Sequence, residues 1–361
     1  MSASTPGSPA TRSSSARTTG SSSGSPTAGT PASPRSKGRS ATASRTSGSS
    51  DGRAHEPVLL AEVLAQLAPR AGGRFLDGTV GGGGHAGALL DGTAPDGRLL
   101  GLDVDPAALA IARRELARFG DRAVLVNANF ADLSEVAREH DFIGIDGVLL
   151  DLGLSSIQLA DDARGFSFRA SGPLDMRSDP RLELTAADLV NTWEERDLRR
   201  IFAELGEEPE AARVAGAIVR RRARGPFIAA DEFGRFVAGV KTRRPGKIDP
   251  ATRVFQALRM AVNDELGNLA RGLEAALAVL RPGGRLAVIS FHSLEDRVTK
   301  QFMARESRDC ICPPHLPTCV CGHRAGLRVV SRRPLMAADA ETMRNPRARS
   351  ARLRVAEKIA S

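Results

Sequence analysis

The stretch that decides the fold is Arg74-Phe75-Leu76-Asp77-Gly78-Thr79-Val80-Gly81-Gly82-Gly83-Gly84-His85. A short apolar run ends on an acid and breaks into glycines, and the alanine- and leucine-rich segment Ala86 to Leu90 follows. This is the layout of a strand, a tight turn and a helix N-terminus in a βαβ unit. Bare backbone N–H groups there can approach a ligand that side chains would keep away. Glycine runs also occur in plain turns, so the reading needs support from elsewhere in the chain.

That support comes from the strand ends. Arg98 to Asp103 reads as a buried strand that also closes on an acid, twenty residues beyond Gly83, and Pro106 opens a helix running to Phe119. In doubly wound sheets a carboxylate at this place holds ribose hydroxyls, which makes Asp103 the candidate, against a plain helix-capping role for Asp103 or Asp105. Further strands are expected at Ala123–Asn127 and Val148–Asp151. Strands alternating with helices imply a parallel sheet whose ligands gather at the strands' carboxyl ends, where Asp77, Asp103, Phe130 and Asp151 all fall. Phe130 reads either as a face for a purine or as core.

Around this pattern the composition is uneven. Residues 1–54 contain no Val, Leu, Ile, Phe or Trp and cannot offset the entropy of ordering, so no folded structure is expected there. They carry +6 of the formal net charge of +9; residues 323–361 carry +7, and the body between is mildly acidic. Basic ends suit a polyanionic partner such as nucleic acid, with a solvated tail as the plainer reading. No apolar segment approaches the ~20 residues of a membrane span, and there is no signal-peptide core, so a cytoplasmic protein without membrane attachment is expected.

Between Ser155 and about Leu266 the chain reads as helices. One starts at Thr185-Ala-Ala-Asp188 and carries Leu189, Trp193, Ile201, Phe202 and Leu205; others run from Pro209 to Arg224 and Asp231 to Val240, and a long helical region extends from Asp249 through Leu280. The expected divisions are 1–54 as a tail, 55–160 and 267–361 as two parts of one sheet domain, and 161–266 as an inserted helical domain. The basic clusters at Arg220–Arg224 and Lys241–Lys247 face either RNA or solvent. A strand at Arg285–Ser290 resumes the α/β pattern, and Leu327–Ser331 and Arg352–Ala356 read as added edge strands. Cys310, Cys312, Cys319 and Cys321 form C-x-C-x6-C-x-C with His315 and His323 nearby. That pattern is open to zinc, to reduced thiols or to disulfides, and no metal is assigned from it.

Several motifs in order make the chain recognisable: Asp77 to His85, Asp151-Leu-Gly-Leu-Ser155-Ser156-Ile-Gln158, Arg164-Gly-Phe-Ser-Phe168, Gly172-Pro-Leu-Asp175-Met-Arg177, Pro250-Ala-Thr-Arg253, Ser290 to Arg297 and Asn345-Pro-Arg-Ala-Arg-Ser350. Over residues 55 to 358 it closely resembles the bacterial ribosomal RNA small subunit methyltransferase H family, also called MraW. The resemblance implies a Rossmann-like class I S-adenosylmethionine-dependent methyltransferase sheet with an inserted helical domain. It also implies methylation of the exocyclic N4 of one cytidine in the decoding region of 16S rRNA, in free rRNA or in the small subunit. Carried over residue by residue, cofactor contacts fall on Gly83, Gly84, His85, Asp103, Phe130, Asp151 and Gln158. For the amine, Asp151 or a carbonyl or hydroxyl in the Leu154–Ser156 turn, with Ser155 and Ser156, is the expected acceptor. His292 is a candidate for base binding or proton relay, or a structural histidine. The inserted helices, Arg177, Arg253, Arg347 and Arg349 are the expected RNA-facing elements. A homodimer is possible, and the sequence does not decide the oligomeric state. The competing functions are an RNA-binding module without catalysis, which has no need of acids at four strand ends, and an NAD-type oxidoreductase, which predicts a different glycine spacing.

Overall fold

The computed structural model describes residues 57–242, 249–313, 316 and 318–360. After helix α1 (Leu60–Leu67) the chain alternates strictly: β1 (Arg74–Asp77), α2 (Gly84–Gly92), β2 (Arg98–Asp103), α3 (Pro106–Glu115), β3 (Ala123–Asn127), α4 (Leu133–Glu139) and β4 (Ile145–Asp151). A short α5 (Ser156–Ala160) follows, then α6 (Ala186–Thr192), α7 (Glu195–Glu204), α8 (Ala211–Arg222), α9 (Ala230–Val240), α10 (Thr252–Val262) and α11 (Glu265–Val279). The sheet is completed by β5 (Leu280–Ser290), α12 (Ser293–Glu306), β6 (Leu327–Val329), α13 (Asp339–Arg344) and β7 (Arg352–Lys358).

The strand order is β3-β2-β1-β4-β5-β7-β6, with β1 to β5 parallel and β7 antiparallel to both its neighbours. β1 therefore sits between β2 and β4, where the winding reverses. The crevice outside the carboxyl ends at such a reversal is where open α/β sheets bind ligands. Alternation along each strand feeds two cores. Phe75, Leu99, Ala287, Ile289 and Leu353 join the face covered by α1, α2 and α3, while Leu76, Leu100, Leu286 and Val288 join the face covered by α4, α11 and α12. A fully buried leucine of this kind contributes roughly 1.5–3 kcal/mol, so one-residue register slips are strongly disfavoured.

Helices α6 to α10 pack around a third cluster containing Leu189, Phe202, Val214, Phe233 and Leu258. The helix expected from Thr185 is broken, and the helical region after Asp249 is divided in two. The chain from Thr185 bends at Trp193 and Glu194, both extended. The long region after Asp249 breaks at Asp264, which has φ 45° and lets α11 leave the third cluster for the sheet. A second departure concerns β7, expected at the edge. It is an interior strand, and the buried Arg354 it carries is held by Asp296 of α12 at 2.6 and 3.1 Å. Residues 281–284 bulge out between the pairs Ile145–Leu280 and Gly147–Arg285.

Candidate active site

The turn after β1 is built by backbone geometry. Gly81 and Gly83 have φ 52° and 91°, which side chains with a Cβ rarely adopt, and Gly83 caps the start of α2. At Gly84 a Cβ would lie 2.5 Å from the Pro57 ring, so the segment entering α1 presses directly on the loop. His85 is buried in the first turn of α2, its Nε2 3.0 Å from the Val58 carbonyl and its Nδ1 3.7 Å from Asp151 Oδ2.

The strand-end acids converge on this turn. Asp103 Oδ2 accepts from the Gly81 N–H and Oδ1 from the Asp105 N–H, both at 2.9 Å. Asp77 Oδ1 accepts from the Thr79 N–H at 3.0 Å, and Thr79 Oγ1 accepts from the Asp151 N–H at 2.6 Å. Thr79 thus ties β1 to β4, a role no sequence pattern pointed to. Asp151 Oδ1 is buried with no hydrogen-bond partner.

Burial dominates the charge balance of the three carboxyls. It pushes Asp77 up to about 7 against the Thr79 hydrogen bonds, with the Asp103 charge adding to the rise. It pushes Asp103 up to about 6, opposed by the Asp105 and Gly81 N–H groups. For Asp151 burial comes first and the Asp77 and Glu295 charges add to it, so that the acid rises to about 8 although the Arg347 guanidinium pulls it down. Asp77 lies between the other two and interacts unfavourably with both, and carboxyls crowded in this way form a site suited to a cation.

Other expected residues are engaged structurally. Ser155 and Gln158 form the capping box of α5, the Gln158 N–H donating to Ser155 Oγ at 3.1 Å and the Ser155 N–H to Gln158 Oε1 at 3.0 Å. The Ser156 side chain lies outside the described residues. Phe130 opens a 3-10 turn capped by Asn129 and lays its ring over Gly272 of α11, where a Cβ would come within 2.4 Å. That places much of the ring against the core, while its Cβ borders Gly78 next to the site. His292 is the N-cap of α12: its Nδ1 accepts from the Glu295 N–H at 3.4 Å and its Nε2 lies 3.1 Å from Glu295 Oε1 at an angle unsuited to a hydrogen bond. Burial alone would raise the Glu295 carboxyl, but His292, Arg259 and the Phe291 N–H hold it below the usual range. Glu265 lies beside this pair, yet Arg259 grips it bidentately at 2.7 and 2.9 Å, which makes the group an ion-pair knot.

The arginines divide. Arg347, expected to face RNA, reaches back to the Leu154 carbonyl and lies near Asp151. Arg177 folds onto Asp175 at 2.7 and 2.9 Å and onto the Leu182 carbonyl at 2.6 Å, bracing its own loop. Arg253 donates to the Glu207 carbonyl at 2.9 Å, and Arg349 is exposed. In the first basic cluster Arg221 pairs with Glu232 and Arg222 caps the Val190 and Trp193 carbonyls. Arg243, Arg244 and Lys247 lie outside the described residues. Arg164 joins the inserted segment to the sheet through Asp105 at 3.0 Å, a link found only in three dimensions. A separate hollow of 380 Å³, lined by Leu67, Gly73, Asp146 and Arg285, sits by the amino ends of β1 and β4 and contains none of these acids.

With this arrangement in view, comparison with known proteins is decisive. The model of the MraW methylase family matches residues 52–359. The chain belongs to that family. Its relatives include proteins called "Ribosomal RNA small subunit methyltransferase H" in Thermomicrobium roseum, 54% identical over 85% of this chain and 94% of the relative, and in Geobacter sulfurreducens, 52% identical over 84% and 99%. A third, from Heliobacterium modesticaldum, is 51% identical over 84% and 98%. The family match leaves residues 1–51 outside it.

Proposed function

We propose that this chain transfers a methyl group from S-adenosylmethionine to the exocyclic N4 of a cytidine in the decoding region of 16S rRNA, in the rRNA or the small subunit. The observation that carries the reading is Asp151: a desolvated carboxylate at the end of β4, beside the glycine turn, with one oxygen buried and unpartnered. The family membership and the name shared by the relatives support the substrate class.

The donor set fits a cationic cofactor, because three crowded acids lose repulsion when a positive charge enters. S-adenosylmethionine, when bound, supplies a methyl carbon on a positively charged sulfur. Asp103 would hold the ribose, the Gly81–Gly84 turn leaves room for the backbone to approach, and Asp151 with His85 would border the donor end. A cytosine amine is a weak nucleophile whose lone pair is delocalised into the ring, so holding it in line supplies much of the rate. Of the acceptors considered, the Leu154 carbonyl already takes Arg347 and Ser155 Oγ already takes the Gln158 N–H. Asp151 Oδ1, buried and unpartnered, accepts from the amine in this reading and, at an acidity near neutral, takes its proton as the N–C bond forms. His292 acts as a positioning residue through Glu295.

The test is transfer of labelled methyl from S-adenosylmethionine to small subunits from a strain lacking the gene, with mass mapping of the product. N4-methylcytidine at one decoding-region position is expected; label on another base or position refutes the assignment. Calorimetric binding of S-adenosylmethionine but not NAD is expected alongside, whereas binding of neither would favour a non-catalytic RNA module.

A further inference from the structure

We propose that Cys310, Cys312, Cys319 and Cys321 form a closed structural zinc site in the segment between α12 and β6. Their four Sγ atoms all lie within 4.8 Å of one another. Cys319 and Cys321 are 3.6 Å apart and Cys321 and Cys310 are 3.9 Å apart. A tetrahedral zinc with Zn–S bonds of about 2.3 Å requires sulfurs about 3.8 Å apart. A disulfide requires about 2.05 Å, and none of the four is so bonded.

Apolar burial does not account for the gathering. Three of the cysteines are exposed and Cys312 is half-buried, so little surface is removed from water by bringing them together. The surrounding backbone is arranged in pairs. The Ile311 N–H, from the middle of the first C-x-C, points at Cys321 Sγ at 3.5 Å, and the Val320 N–H, from the middle of the second, points at Cys312 Sγ at 3.4 Å. Each arm thus donates to the last sulfur of the other, the kind of outer hydrogen bonding that supports metal-bound thiolates. Four thiolates suit zinc and leave no open position, which indicates a structural rather than a catalytic ion. His315 lies outside the described residues. His323 has its Nε2 3.2 Å from the Arg305 carbonyl and completes no part of this set.

The ends of the segment are anchored without the metal. The Gly326 N–H donates to the Glu306 carbonyl at 2.8 Å and the Ala325 N–H to Asp309 at 3.2 Å. Loss of zinc is therefore expected to loosen residues 310–321 while the sheet stays folded.

The full chain, purified under reducing conditions without a metal-affinity tag, should contain one equivalent of zinc by mass spectrometry of the metal. Chelation at low pH followed by cobalt(II) should give the intense visible bands of a tetrahedral tetrathiolate at one equivalent. Cys319→Ser with Cys321→Ser should abolish both signals while the circular dichroism and thermal transition of the sheet persist, and limited proteolysis should then cut within 310–321. Protein free of stoichiometric metal that gives no cobalt band, one equivalent of iron instead of zinc, or disulfides that form in place of metal binding would each overturn the proposal.

Discussion

Replacing Asp151 by asparagine keeps the shape of the side chain and removes the charge that burial resists. The folded carboxyl stands at about 8 against an ordinary value of 3.8. A tenfold change in proton affinity is worth about 1.36 kcal/mol, so the ionised carboxylate burdens the fold by at most about 6 kcal/mol. Its side chain is still 24% exposed, and water screens part of that burden, leaving about 2 kcal/mol as the working figure. The sign follows from proton binding. Because the folded pKa is raised, the native state holds a proton that the unfolded chain has released, and stability present below pH 4 is lost as pH rises through 8. Asp151→Asn should therefore raise the melting temperature of the ligand-free protein at pH 8 by about 3–6 °C, with the gain vanishing near pH 4. Asp77 and Asp103, raised for the same reason, leave a shallower slope of the same sign in the variant. Methyl transfer should fall by about 10²–10³-fold, the usual loss of a preorganised electrostatic partner. Scanning calorimetry across pH, paired with the labelled-methyl assay, reads both effects. A variant less stable than the parent at pH 8, or one that methylates at the parental rate, would refute the reasoning.

Asp103→Ala should weaken S-adenosylmethionine binding by roughly 1–3 kcal/mol in calorimetric titration; unchanged affinity would remove Asp103 from the cofactor site. Arg347→Ala takes away the cation that pulls the Asp151 acidity down, so the acid limb of the pH–rate profile should move to higher pH, and an unmoved limb would separate Arg347 from the chemistry. Arg164→Ala strands Asp105, 1% exposed, without its ion partner, and thermal denaturation should show a loss of about 3 kcal/mol. Cofactor binding should release protons, because a cation favours the ionised acids. Titrations in buffers of different ionisation enthalpy would show this as differing apparent heats, and identical heats would contradict it.

The first half of the sheet was legible because its strands are apolar runs that stop on acids. The observed limits of β1, β2 and β3 coincide with those runs. α4 escaped notice because seven residues with Leu133, Val136 and Ala137 inward offer too short a period. The Arg352–Ala356 run was expected at an edge, and nothing in its own residues reveals that Asp296, far away in sequence, pairs with Arg354 inside the sheet. At the site the acids announced themselves by position, but Thr79, Arg347 and Glu295 did not. Their roles depend on contacts across up to about two hundred residues, which spacing cannot encode. His292, Ser155 and Gln158 were visible as motif residues, and only coordinates reveal that they spend hydrogen bonds on capping helices.

The placement of β7 between β5 and β6 separates the order of synthesis from the order of assembly. Until residues beyond 350 leave the ribosome, β5 presents an open row of amide and carbonyl groups to any strand nearby. Arg347, which immediately precedes β7, arrives beside Asp151 only as that gap closes. A nascent chain of this enzyme therefore keeps an adhesive strand edge, and an Asp151 without its neighbouring cation, until almost the whole of its sheet has been translated.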